Sequence, residues 1–76
     1  MNKKMQRLLK IFNEKSYLDM SFGELENIYM LVKRRNKIFL SHVFEGLDYN
    51  EMNIERLEKV LLFHLKRVNT YNFNGV

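Results

Sequence analysis

The chain has no cysteine, which excludes disulfides, zinc–thiolate centres, redox pairs and a thiol nucleophile. Proline is absent too, and the three glycines, Gly23, Gly46 and Gly75, stand outside the middle of every periodic segment. That distribution favours long unbroken helices. It also leaves no cluster of glycines from which to build a phosphate loop or a dinucleotide fingerprint. The longest apolar runs, Ile28 to Val32 and Val60 to Phe63, fall far short of the ~20 residues that cross a bilayer. The start is basic, as in a signal peptide, but Lys10, Asn13, Glu14 and Lys15 interrupt the apolar core such a peptide requires, so a cytoplasmic location is expected.

With 76 residues the chain is one domain at most, and a domain this small buries a modest share of its surface. Without disulfides, stability must come from tight helix packing or oligomerisation. The net charge of +4 is unevenly placed. Residues 1–17 carry Lys3, Lys4, Arg7, Lys10 and Lys15 against Glu14, whereas the remainder balances eight acidic with eight basic residues. A local excess suits an acidic protein surface or an anionic lipid as well as it suits nucleic acid.

Three segments have helical periodicity. Met5, Leu8, Leu9 and Phe12 fall on one face of an amphipathic helix from about Asn2 to Lys15, opposite Lys3, Arg7, Lys10 and Glu14. A second helix reads without interruption from Phe22 to Phe44. Its start has a capping box, Ser21 with Glu24, and a hydrophobic staple, Met20 with Leu25; Gly46 supplies the left-handed residue beyond its end. A third helix repeats the start signal with Asp48 and Glu51, stapled by Leu47 and Met52, and runs to about Asn69. Its early Glu51, Glu55 and Glu58 and late Lys66 and Arg67 suit the helix dipole, and Glu55 and Lys59 are spaced to pair. The expected fold is all-α: an antiparallel hairpin of two long helices with the N-terminal helix packed across it, a three-helix bundle over residues 1–70 that could also dimerise. Residues 71–76 are expected to form a flexible tail, with docking of Tyr71 and Phe73 as the other outcome.

The second helix predicts a core stripe of Phe22, Leu25, Ile28, Tyr29, Val32, Phe39, Leu40 and Val43, with Asn36 near its centre. There the amide is a solvated notch, a partner in an internal hydrogen bond, or a buried polar group that sets pairing register. Leu31 and Ile38 project away from that stripe, beside Arg34, Arg35 and His42. They are core if the first helix crosses them, and otherwise an apolar ridge with basic edges that fits an interface. The third helix predicts a stripe of Ile54, Leu57, Val60, Leu61, Leu65 and Val68, with His64 on the same side. Phe63 lies opposite, among Arg56, Lys59, Lys66 and Arg67. Such a ring can fill a pocket on a partner or stack on a base, although single exposed apolar residues are common.

Catalytic chemistry is hard to assemble. His42 and His64 lack the i,i+4 spacing of a helical zinc pair. Ser16 is in a loop, Ser21 is a cap, and Ser41 adjoins His42 without facing it. The acids sit mainly in first turns, where capping explains them. Neither an enzyme nor a cofactor is expected. Gly46-Leu47 followed by Glu51-Met52 resembles the hairpin turn of the small two-helix aspartyl-phosphate phosphatases of sporulating bacteria. Those proteins carry Ser-Gln-x-x-Asp on the next helix, where this chain reads Ile54-Glu55-Arg56-Leu57-Glu58, so the resemblance ends at the turn and implies no site residue.

The leading expectation is a small regulatory or inhibitory protein that binds another protein, or itself as a homodimer, through Leu31, Arg34, Arg35, Ile38, Arg56, Lys59, Phe63 and Arg67. The alternative is nucleic-acid binding through the basic turn Lys33 to Lys37 and the first helix, which the long helices and the balancing acids disfavour. Attachment of the first helix to an anionic membrane is a weaker option. Abundant Asn, Lys, Ile, Phe and Tyr suit an AT-rich genome, bacterial or phage.

Overall fold

The first helix, α1 (Lys3–Glu14), begins where Asn2 accepts the amide of Met5 at 2.7 Å, the side-chain capping that satisfies an otherwise orphaned donor. The computed structural model describes residues 2–46 and 49–74, with side chains through Asn69. Within them the chain is all-helical, and no strand occurs. After α1 come a 3-10 turn (Tyr17–Asp19), α2 (Phe22–Lys33), α3 (Lys37–Val43) and α4 (Glu51–Asn74).

The capping box at Ser21 forms in full: Glu24 donates its amide to the Ser21 hydroxyl at 3.2 Å, and the Glu24 carboxylate accepts the Ser21 amide at 2.9 Å. The staple residues Met20 and Leu25 are both buried. Gly46 has φ +76 as anticipated.

The long second helix does not exist as one element. It breaks between Lys33 and Lys37, and Arg35, with φ +52, occupies the left-handed region usually left to glycine. Asn36 donates its amide to the Leu31 carbonyl and Arg35 donates to Val32, both at 3.0 Å, the paired bonds of a Schellman closure. Of the expected roles of Asn36 the internal hydrogen bond is the one that forms, and the residue is neither a solvated notch nor a buried register residue. It is the N-cap of α3, its side chain accepting the Phe39 amide at 3.0 Å. A continuous helix, at about 100° per residue, would have carried that amide into the buried stripe. The break turns it outward while Phe39 and Leu40 remain fully buried.

The start of α4 also shifts. The helix begins at Glu51, and Asn50 accepts the Asn53 amide at 2.9 Å; the expected cap Asp48 and its staple partner Leu47 lie outside the described residues. The far end extends to Asn74, past Asn69 and through part of the segment expected to be a tail; Gly75 and Val76 are outside the described residues.

The core comprises Leu8, Met20, Leu25, Ile28, Val32, Phe39, Leu40, Ile54, Leu61 and Leu65. Helix α2 packs chiefly on α4, and α1 packs on α2 and α3. Arg35 at the end of α2 reaches Glu51 at the start of α4, while Phe22 at the start of α2 lies near Leu65, so the two run in opposite directions. The extents are 41 × 28 × 19 Å. The shortest is about two helix diameters of ~10 Å, so every helix keeps an outer face.

Candidate functional site

The eight residues singled out in the sequence fall in different surroundings. Arg35 is committed internally. Its Nε donates to Glu51 Oε1 at 3.0 Å and its Nη2 reaches the same oxygen, while Nη1 donates to Glu58 Oε1 at 2.7 Å and to the Lys33 carbonyl at 2.9 Å. The two carboxylates hold the guanidinium proton more firmly than usual. This clamp ties the end of α2 to the first turns of α4, so Arg35 is removed from any set of contact residues. The basic turn is thereby dispersed: Lys33 lies over the Tyr29 ring at 5.8 Å, and Arg34 lines a cleft. Leu31 is half-buried against the core and lines the same cleft; Ile38, on α3, is 53% exposed and stands apart from it.

The outer face of α4 retains Arg56, Lys59 and Phe63, whereas Arg67 is half-buried at its edge. Ile54, Leu61 and Leu65 point into the core. Half a turn away are Met52 (57% exposed), Arg56, Lys59 and Phe63 (63% exposed), which recur at helical spacing. Val60, expected in the core, is 40% exposed and extends this apolar strip. The strip therefore has one more apolar member than the sequence reading placed there. Arg56 lies along Met52, its Nη2 3.8 Å from the Met52 sulfur. Glu55 and Lys59 form no ion pair despite their spacing. Among the described residues the ion pairs are Lys15–Glu24, Arg35–Glu51 and Arg35–Glu58, which leaves Arg56, Lys59 and Lys66 without a carboxylate.

One edge of the strip has its own chemistry. Phe63 meets His64 edge-on at 5.2 Å between ring centroids, and His64 stacks on Tyr17 at 5.1 Å. Arg67, half-buried, points its Nε at His64 Nδ1 at 3.4 Å, and its Nη2 is buried with no hydrogen-bond partner. Burial and, secondarily, the Arg67 charge hold the His64 pKa below its ordinary value. The neutral ring can then accept at Nδ1. Burial likewise pushes the Tyr17 hydroxyl upward.

Two clefts, invisible to sequence reasoning, lie on a different face. The first, of about 270 Å³, lies between α1 and the end of α2, with Met5, Leu8, Met30 and Leu31 as its apolar part and Lys4, Arg34, Asn2, Asn27 and Asn36 around them. The second, of about 250 Å³, lies between α2 and the later part of α4 and is lined by Phe22, Glu26, Tyr29, Met30, Leu65, Lys66 and Asn69. Met30 belongs to both. Among the described residues no three of His, Asp or Glu gather as metal ligands would, and no helix is long and apolar enough to cross a membrane. Compared with known protein families, curated proteins and solved structures, the chain matches none.

Proposed function

We propose that this protein is a non-enzymatic binding module, regulatory or inhibitory in effect, that docks through the outer face of α4 onto an acidic surface of another protein. The observation that carries this reading is the strip of Met52 and Phe63, exposed on the side of α4 opposite its buried stripe, flanked by the partly exposed Val60 and edged by Arg56, Lys59 and Lys66. In a slab 19 Å thick α4 needs one apolar stripe for folding, and the second is surplus. Aromatic and Met anchors with basic edges are the composition of an interface centre and rim. Charge favours a different molecule over a second copy: pairing two such faces would set the cations of one against those of the other, with Glu55 the neighbouring acid. A three-helix arrangement, with α2 and α3 acting together as the second member behind α4, is the architecture this reading assumes.

The test compares wild type with Phe63→Ala and with Arg56→Glu combined with Lys59→Glu, each first checked for unchanged thermal unfolding. Tagged proteins are used for affinity capture with mass spectrometry, and duplex and single-stranded DNA are titrated at two salt concentrations. The reading expects a protein retained by wild type and lost from both variants, with weak DNA binding. Capture indifferent to both variants would refute it, as would tight DNA binding with a steep salt slope.

A further inference from the structure

We infer that the face bearing the two clefts takes a second partner, an acidic amphipathic segment of another protein whose two apolar side chains seat on either side of Met30. The inference shares Lys66 with the edge of the outer strip of α4 but none of that strip's apolar residues, and it does not rest on that reading. Its basis is the adjacency of two depressions of similar size, about 270 and 250 Å³, divided by one methionine. An isolated pocket suits a small molecule. Two shallow ones sharing a wall suit successive anchors of a chain, as when an amphipathic helix or an extended strip lays alternate apolar residues into a groove. Methionine is the side chain best able to adjust such a wall, because it is unbranched and polarisable.

Charge selects the occupant. Lys4 and Arg34 line the first cleft and Lys66 the second, with Lys33 beside it over Tyr29; the carboxylate among the lining residues is Glu26. Lys4, Lys33, Arg34 and Lys66 enter no ion pair with the described residues. Carboxylates flanking two apolar anchors would meet these cations. A second copy of this chain fits poorly, since its own exposed apolar strip is edged by Arg56, Lys59 and Lys66 and would be repelled. A nucleic acid would find phosphate partners at the rim but offers no aliphatic side chains for Met5, Leu8 and Leu31.

The methionines provide reporters. Met5 and Met30 line the clefts, Met20 is 4% exposed in the core, and Met52 lies on the outer face of α4. A phage-displayed random peptide library is selected on the wild type and counter-selected on the Lys4→Glu, Arg34→Glu protein. Enriched peptides are then synthesised and titrated into protein labelled with ¹³C at the methionine methyls. The expected peptides carry two apolar residues flanked by Asp or Glu, shift Met5 and Met30 saturably while leaving Met20 and Met52 in place, and bind the double variant about tenfold more weakly or worse. Enrichment without acidic bias overturns the inference, as does no enrichment over the counter-selection. A response led by Met52 also overturns it while leaving the α4 reading intact.

Discussion

Replacing Arg35 with glycine and with alanine yields a difference whose sign reports whether α2 and α3 are separate. Both substitutions remove the guanidinium and its bonds to Glu51 and Glu58, so that loss cancels in the comparison. What remains is a Cβ at φ +52. A Cβ in the left-handed region costs about 1–2 kcal/mol. Glycine's greater freedom in the unfolded chain offsets roughly 0.4–1 kcal/mol of that. The glycine variant should therefore exceed the alanine variant by about 0.5–1 kcal/mol, or roughly 2–8 °C in Tm for a domain of this size. Were the helix continuous from Phe22 to Phe44, position 35 would be a helix interior. There alanine is favoured over glycine by about 1 kcal/mol, and the order would reverse. Thermal unfolding followed by circular dichroism, repeated with urea to verify equal m-values, reads the sign directly. An alanine variant as stable as the glycine variant, or more so, refutes the Schellman break.

Leu61→Ala, at a fully buried site, should cost about 2–5 kcal/mol, whereas Phe63→Ala, two residues on and 63% exposed, should stay within about 0.5 kcal/mol of wild type; urea denaturation checks both, and a large loss at Phe63 would show it to be packed. Glu24 is held below the usual carboxylate range, first by the Ser21 amide and then by Lys15, so the stability it contributes is present above about pH 4.3 and disappears as pH falls through its folded-state value. Glu24→Gln should flatten that part of the acid-unfolding curve. His64 is shifted downward, so the unfolded chain binds its proton first; stability should decline as pH drops below about 6.5, and His64→Phe should abolish that slope. A pH profile identical to wild type would contradict the burial of the ring.

Local chemistry was the legible part of this chain. Ser21 and Glu24 announce a box because their spacing alone determines who can bond to whom, and Leu25, Ile28, Val32, Leu61 and Leu65 follow from periodicity. The break at Arg35 was hidden because its usual marker, glycine, is absent. The available signal was Asn36 three residues before Phe39, a capping spacing set in a polar run. Val60 sits at the border of the buried stripe of α4, where helical phase alone does not decide burial. It is exposed because a structure two layers thick covers one side of α4. The clefts depend on how α1 and α4 flank α2, which no single segment encodes. The expected Glu55–Lys59 pair fails for the ordinary reason that an exposed pair gains little over hydration.

The break and the binding face are connected. Closing α2 at Arg35 frees two neighbouring arginines for opposite tasks: Arg35, in the left-handed conformation, reaches α4, while Arg34 lines the cleft beside Met30 and Leu31. Asn36 lines the same cleft and caps α3 through Phe39. One short polar run thus ends a helix, starts the next, ties the end of α2 to α4 and supplies a cation to the cleft. It follows that Asn36→Ala should do more than remove a cap worth about 1 kcal/mol. By loosening the start of α3 it should also disturb the Met30 methyl environment, whereas Ser21→Ala, a cap of similar worth at the opposite end of α2, should leave Met30 unmoved. Equal responses of Met30 to the two variants would mean that the clefts do not depend on the break.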